Sequence, residues 1–480
     1  MSPSPGVCAI SLSPILEPGN TCWRVERANR FAVIIDGQEY YRAVKRAVLN
    51  AKRQVVLIGW DFDTRIEIEP DEQTLEGPNR LGAFLNWIAK RRDGLQINIL
   101  KWNLGLLESL KRGETPLFIL RWMVSNNVQL KLDAAHPAAA SHHQKIIVID
   151  DKLAFCGGID ITKGRWDTRE HLDHDPNRRS GRGKLLGPWH DATTCVDGDA
   201  AKALGELARM RWFRGTGEQI EAPEVDEDPW PDMIEPFVRD VDIGIARTMG
   251  AFGEYEGVVE IERATLAAIE SAERSLYIES QYFASRKIAE TMVRRLAEPD
   301  GPEIVLLNPR SQDGWLEEKT MGSARAKLLS YVRRQDVHDR FRIFYPVAAK
   351  DTPIYVHAKI MVVDDRLLKI GSSNLNNRSM GFDTECDLAL EANGEEWLRE
   401  RIVSVRDSLL GEHLGVSAET VAEHMRETGS LIATIDALNQ DGPHLAPLQV
   451  RALDPADETL SEMEIVDPIR PPGVRGSFGF

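Results

Sequence analysis

His143 and Lys145 stand two residues apart in HHQKIIVID (142–150), and His357 and Lys359 repeat that spacing in HAKIMVVD (357–364). Both copies have the form HxKxxxxDxxxxxxG, closed by Asp150 and Gly157 in the first and by Asp364 and Gly371 in the second. Imidazole can attack as a neutral base and also give a proton near neutral pH. A primary ammonium is a compact charge suited to gripping anionic oxygens. Brought together, the four groups suit a phosphodiester. One histidine would attack phosphorus and form a phosphohistidine, while the other protonates the leaving oxygen and then activates water or an alcohol. The lysines would hold the non-bridging oxygens as charge shifts. This chemistry calls for no metal or cofactor. Because the imidazoles work in opposite protonation states, it predicts a bell-shaped pH profile belonging to the pair.

Such residues need elements that aim them. Side chains at i and i+2 of a strand share a face, so each histidine should point with its lysine while the apolar run behind them anchors in a core. On that geometry Asp150 and Asp364 fall on the opposite face, where supporting turns and backbone groups is the better reading. The motif is one part of a longer internal repeat. Residues 47–62 align with 268–283 at a shift of 221, 93–100 with 300–307 at 207, 128–132 with 341–345 at 213, and the motifs themselves at 214. An ordered but drifting offset is the mark of duplication followed by loop insertion, and the period is too long for a solenoid. Each copy alternates amphipathic helices with short Val/Ile/Leu strands. The expected fold is α/β: two duplicated lobes, each a mixed, mostly buried sheet flanked by helices, related by a pseudo-two-fold axis with one shared active site. The lobes are expected at 21–220 and 241–412, joined by an acidic, proline-rich linker at 221–240. An extension at 413–480 is expected to end in disorder from about Leu453.

The 480 residues carry a formal charge of −16, which disfavours sequence-independent nucleic-acid binding and broad adhesion to anionic lipid. Cys8, Cys22, Cys156, Cys195 and Cys386 are scattered and form no CxxC pair, so a reducing compartment, the cytoplasm, is expected. The start lacks a signal-peptide pattern and no stretch is long enough to span a bilayer. A lipid substrate would therefore be met from the water side, at a membrane surface. Both half-sites lie in one chain, so a monomer suffices.

Several residues admit a plainer reading. His142 is structural, because the repeat register selects His143. The Arg-rich stretch 165–184 is either a lid over a phosphate or a solvated loop. A metal at His171, Asp173 and His174 lacks a partner cluster. Trp189 and His190 of PWHD are expected to line the pocket, with core packing as good a reading for Trp189, and Cys156 and Cys386 read as small buried hydrophobes. Apolar loops near 105–120 either touch lipid or pack on the second lobe.

The duplicated HxKxxxxD motif resembles the signature of the phospholipase D superfamily, over about Trp23 to Leu410. GGIDITKGRWD (157–167), PWHD (188–191), LYIESQYF (276–283) and GSSNLNNRSMGFDTE (371–385) resemble segments of its phosphatidylcholine-type branch; Ser280 replaces the usual asparagine. The resemblance implies a phospholipase D that hydrolyses a glycerophospholipid to phosphatidate and an alcohol, with transphosphatidylation to primary alcohols. It implies His143 as nucleophile and His357 as acid. Phosphate or substrate contacts fall on Lys145, Lys359, Asn374, Ser372 and His190, and Glu385 orients a histidine. Asp160 stands where Asn374 stands in the second copy, so it should turn from the phosphate or bind a neighbouring cation. Asp167 is the expected first-lobe counterpart of Glu385. The alternatives are a cardiolipin-type phosphatidyltransferase, a nuclease of the superfamily (disfavoured by the acidic balance) and a silent scaffold (disfavoured by two intact motifs).

Overall fold

A computed structural model describes residues 13–103, 122, 127–180, 183–312, 321–449 and 467. The loops at 105–120 and the tail beyond 449, apart from Asp467, lie outside the described residues.

Each lobe runs strands in one spatial order. In the first, Ala192–Asp197, Leu153–Gly157, Ile146–Ile149, Gln54–Gly59, Gln96–Trp102 and Val128–Asp133 lie side by side. In the second the order is Glu385–Glu391, Leu367–Gly371, Ile360–Val363, Ser275–Glu279, Glu303–Leu307 and Phe341–Val347. The last three of each set are parallel, and the motif strand runs antiparallel to its neighbours. Long strands Arg24–Ile35 and Val238–Met249 pair antiparallel at the seam. The lobes therefore share one continuous sixteen-stranded sheet, where the repeat pattern had suggested a sheet for each. Two matching 12-residue strands supply the joint, and no sheet edge is left exposed at the axis.

Helices Gly198–Thr216 and Glu396–Leu414 share one face of the sheet, in a core that crosses both lobes. Helices Gly37–Asn50 and Leu81–Arg91 cover the other face in the first lobe, and Glu260–Ser271 and Arg286–Leu296 do so in the second. Burial on both faces explains why the motif strands IIVI and IMVV are apolar throughout. Among the described residues, no helix is long and apolar enough to cross a membrane.

Asp150 and Asp364 play identical parts. Both adopt positive φ, 52° and 51°. The Asp150 carboxylate accepts the amides of Lys52, Arg53 and Gln54 at 2.6–2.8 Å. Asp364 accepts those of Glu273, Arg274 and Ser275 at 2.7–2.8 Å. Each staples the motif strand's end to the start of its neighbour. The closing glycines are also equivalent: a Cβ at Gly157 would lie 2.3 Å from Thr193 Cα, and one at Gly371 2.5 Å from Asp387 Cα.

One segment differs from expectation. The segment 221–240 is not a free tether: Trp230 and Ile234 are buried in the first-lobe core, Arg30 lies over the Trp230 ring, and from Val238 the chain is already strand. Acidic and proline-rich composition masked two apolar anchors. Beyond residue 412, helices Ala418–Thr428 and Leu431–Leu438 and the edge strand His444–Pro447 are folded against the second lobe.

Candidate active site

His143 and Lys145 do not sit in the motif strand, which begins one residue after the lysine; His357 and Lys359 likewise precede Ile360. The two arms leave their own lobe's strands and pair with the opposite lobe. The His143 amide donates to the Thr384 carbonyl at 2.9 Å, and the His357 amide to the His190 carbonyl at 2.8 Å. The short strand Tyr355–Val356 runs parallel to Trp189–His190. Each imidazole is thus carried by one lobe and steadied by the other.

The side chains follow the same crossed plan. His143 Nδ1 lies 3.0 and 2.9 Å from the Glu385 oxygens, and His357 Nδ1 lies 2.6 Å from Asp191 Oδ2. A carboxylate that accepts a hydrogen bond from Nδ1–H keeps the proton on that nitrogen and leaves Nε2 for chemistry. Hydroxyls of Ser372 and Ser379 donate to the two oxygens of Glu385 at 2.5 and 2.7 Å. Lys145 Nζ donates to the His143 carbonyl at 3.0 Å and lies 3.1 Å from Asp160 Oδ2. Lys359 Nζ donates to the His357 carbonyl.

Both histidines open on one cleft of about 280 Å³, whose lining includes Trp60, Trp189, Arg165 and Asn374. The Trp60 ring meets His143 edge-on at 6.4 Å, and Trp189 tilts over His357 at 5.1 Å with the Arg165 guanidinium 3.9 Å above it. Apolar walls around cationic groups suit a molecule with an anionic head and a greasy body.

Burial and the two ammonium groups hold His143 well below the usual histidine range, and burial, Lys359 and Arg165 do the same to His357. Burial pushes Glu385 up to about 8 and raises Asp191. Burial also brings Lys359 down to about 7, with Asp191 opposing the shift and Lys145 adding to it. Groups whose charge changes near neutrality are gathered in one cleft, as acid–base chemistry requires.

Three assignments from the sequence change. Asp167 does not orient His357: it accepts from Arg178, His171 and the Trp189 amide, and Asp191 takes the role instead. The inserted 165–184 loop lengthens the first lobe between Gly157 and the next strand, so counting from the motif stops short of Asp191. His190 does not line the cleft; it is fully buried, with Nε2 2.8 Å from Glu279. Ser372 is buried beneath Glu385 and supports it, away from the cleft. Asn374 does line the cleft, with its buried Oδ1 unpartnered. Asp160 binds the cation beside it, Lys145, and accepts the amides of Trp60 and Asp61. His142 is buried, with Nδ1 2.7 Å from Thr384 Oγ1. His171, Asp173 and His174 do not converge: Asp173 accepts amides of Lys350 and Thr352, and His174 is exposed. In the Arg-rich stretch, Arg165 reaches the cleft and Arg178 is buried on Asp167. Reasoning from sequence missed Asp191 and Trp60 and did not single out Arg165 within its stretch; for Asp191 the signal was its presence within PWHD.

Comparison with known proteins agrees with this geometry. Residues 47–229 match the family model described as phospholipase D, and residues 265–401 match that described as cardiolipin synthase, PLD-like domain. Phospholipase D A of Dictyostelium discoideum is 26% identical over 457 residues, covering 80% of this chain and 35% of the relative. Phospholipase D1 of Schizosaccharomyces pombe is 22% identical over 523 residues, covering 84% and 37%. The chain thus spans little more than a third of these two relatives. A solved structure, phosphatidylserine synthase of Haemophilus influenzae, superposes with a TM-score of 0.52 at 11% identity, covering 79% of this chain and 86% of that one, which shows the fold alone. Two matched models that span both motif copies, a duplicated α/β fold and paired HxK arms across one cleft lead to one conclusion: this chain belongs to the phospholipase D superfamily.

Proposed function

We propose that the protein is a phospholipase D of the phosphatidylcholine-type branch, hydrolysing a glycerophospholipid to phosphatidate and a free alcohol, with transfer to primary alcohols that outcompete water. The observation that carries the reading is the crossed pairing: each cleft histidine is held at Nδ1 by a carboxylate of the other lobe. In the first step His143 Nε2 attacks phosphorus, the bond to the headgroup oxygen breaks, and the His357 Nε2 proton goes to that oxygen. In the second, His357 takes a proton from water or alcohol, whose oxygen attacks phosphorus and releases His143 from its P–N bond. The two dyads must differ by one proton for this to run. His143 is assigned as nucleophile because its side chain is the more accessible, 15% against 5% exposed. Lys145, Lys359 and Asn374 hold the phosphate oxygens, and no step needs a metal.

A cardiolipin-type phosphatidyltransferase is the second reading, favoured by the description of the model matching the second lobe. It shares the covalent step and differs in the acceptor. Incubation with phosphatidylcholine and ethanol is expected to give choline and phosphatidylethanol; cardiolipin formed from phosphatidylglycerol, without choline release, would support the second reading. Quenched enzyme should carry an acid-labile phosphatidyl adduct on His143, and an adduct on His357 would reverse the assignment.

A further inference from the structure

Behind the His357 half-site lies a second cluster of buried side chains. Asp36, His171 and His190 of the first lobe converge with Glu412 of the second, one donor atom from each lying within 4.8 Å of the others. His171 Nε2 is 3.1 Å from Glu412 Oε1 and 3.4 Å from Asp36 Oδ2. His190 Nδ1 is 3.0 Å from the same Glu412 oxygen and 3.3 Å from Asp36 Oδ1. Four donors bonded to one ion at about 2.0–2.1 Å stand about 3.3–3.4 Å apart along the edges of a tetrahedron. The four contacts fall near that spacing, those of Asp36 through its two different oxygens.

Two further observations point to an ion. First, apart from the His171 Nε2–Glu412 Oε1 hydrogen bond, the centre is left unsatisfied. Asp36 Oδ2 has no hydrogen-bond partner although the residue is 1% exposed, and His190 Nδ1 lies beside Glu412 outside hydrogen-bonding geometry. Second, the outward nitrogen of each imidazole is held by a carboxylate, His171 Nδ1 by Asp167 Oδ2 at 2.9 Å and His190 Nε2 by Glu279 Oε2 at 2.8 Å. That arrangement fixes the tautomer and turns a lone pair inward, as around metal-bound histidines. Charge agrees. Asp36, Asp167, Glu279 and Glu412 bring four negative charges, Arg169 on Glu412 and Arg178 on Asp167 return two, and two remain. One divalent cation, or a proton on each imidazole, would balance them.

We propose that Asp36, His171, His190 and Glu412 form a structural divalent-metal site, with zinc the ion their two-nitrogen, two-oxygen donor set fits best. The ion joins the lobes and takes no part in the transfer at phosphorus. The His190 carbonyl receives the amides of His357 and Ala358, so the ion also fixes the floor of that half-site.

The test uses the untagged full chain, dialysed against metal-free buffer and analysed by elemental mass spectrometry, then loaded with Co²⁺ as an optical probe. About one equivalent of metal per chain is expected, with the intense visible absorption of tetrahedral cobalt and a melting temperature about 5–10 °C higher with Zn²⁺ than after chelation. His143→Ala should keep the ion, and His171→Ala and Glu412→Gln should lose it. Wild-type protein that takes up no Zn²⁺ or Co²⁺ and melts at one temperature with and without them would overturn the proposal, leaving protons to balance the cluster. Loss of the ion in His143→Ala with retention in His171→Ala would place it in the cleft, and would also overturn it. If the cluster variants do not fold, the wild-type and His143→Ala measurements decide alone.

Discussion

The two half-sites share a backbone plan and differ in how charge is settled. In the first, Lys145 is matched by Asp160; in the second, the equivalent position three residues past the motif glycine is Asn374, and Lys359 falls to about 7. Deeper in, the contrast continues. Behind His143 lie one histidine, one carboxylate and one guanidinium, His142, Asp133 and Arg211, with Arg211 Nε 2.5 Å from Asp133. Behind His357 lies the carboxylate-rich cluster of Asp36, His171, His190 and Glu412. Duplication preserves the frame because strand order and turn staples are needed in both lobes. It leaves the polar fillings free to diverge, since one phosphate needs one attacking and one protonating imidazole.

The comparison can be broken by mutation. The largest effects are expected from His143→Ala and His357→Ala, each lowering kcat by at least about 10⁴-fold. Only His357→Ala should still form some adduct with a substrate whose leaving group needs no proton, measured as a burst. Removal of the orienting carboxylates comes next: Glu385→Gln and Asp191→Asn should each lower kcat by about 10²–10⁴-fold with smaller changes in KM. If Asp167→Asn matched Asp191→Asn in pH profile as well as in rate, the crossed pairing would lose its support.

Exchanging the lysine partners sharpens the contrast. An ammonium depressed to about 7 is charged below that pH and neutral above it. The grip of Lys359 on an anion should therefore fade as pH rises through about 7, giving kcat/KM an alkaline limb. Asn374→Asp should move that limb upward, because a carboxylate placed where Asp160 stands beside Lys145 in the first lobe favours the charged amine, while repulsion of the phosphate raises KM about 10–100-fold. Asp160→Asn should do the reverse in the first lobe, with KM falling. An unmoved limb in Asn374→Asp would detach Lys359 from it. The smallest difference is expected between Asp150→Asn and Asp364→Asn, each costing about 2–3 kcal/mol in urea denaturation through weakened amide bonds. Unequal losses would show that the staples are equivalent in shape only.

The motif histidines and lysines, the repeat, the α/β class and the turn roles of Asp150 and Asp364 were legible in the chain itself. Each is a local pattern, a spacing or a periodicity that short-range geometry converts directly into structure. The carboxylate on His357 was not, because Asp191 lies 166 residues from its partner and a loop insertion hides its register. The seam strands, the burial of Trp230 and the convergence of Asp36, His171, His190 and Glu412 were equally hidden. Those features depend on how two lobes pack across an axis, and a contact between distant residues leaves no period in either segment alone. The residues of the chemistry are therefore set by sequence, and the partners that tune them by the tertiary structure.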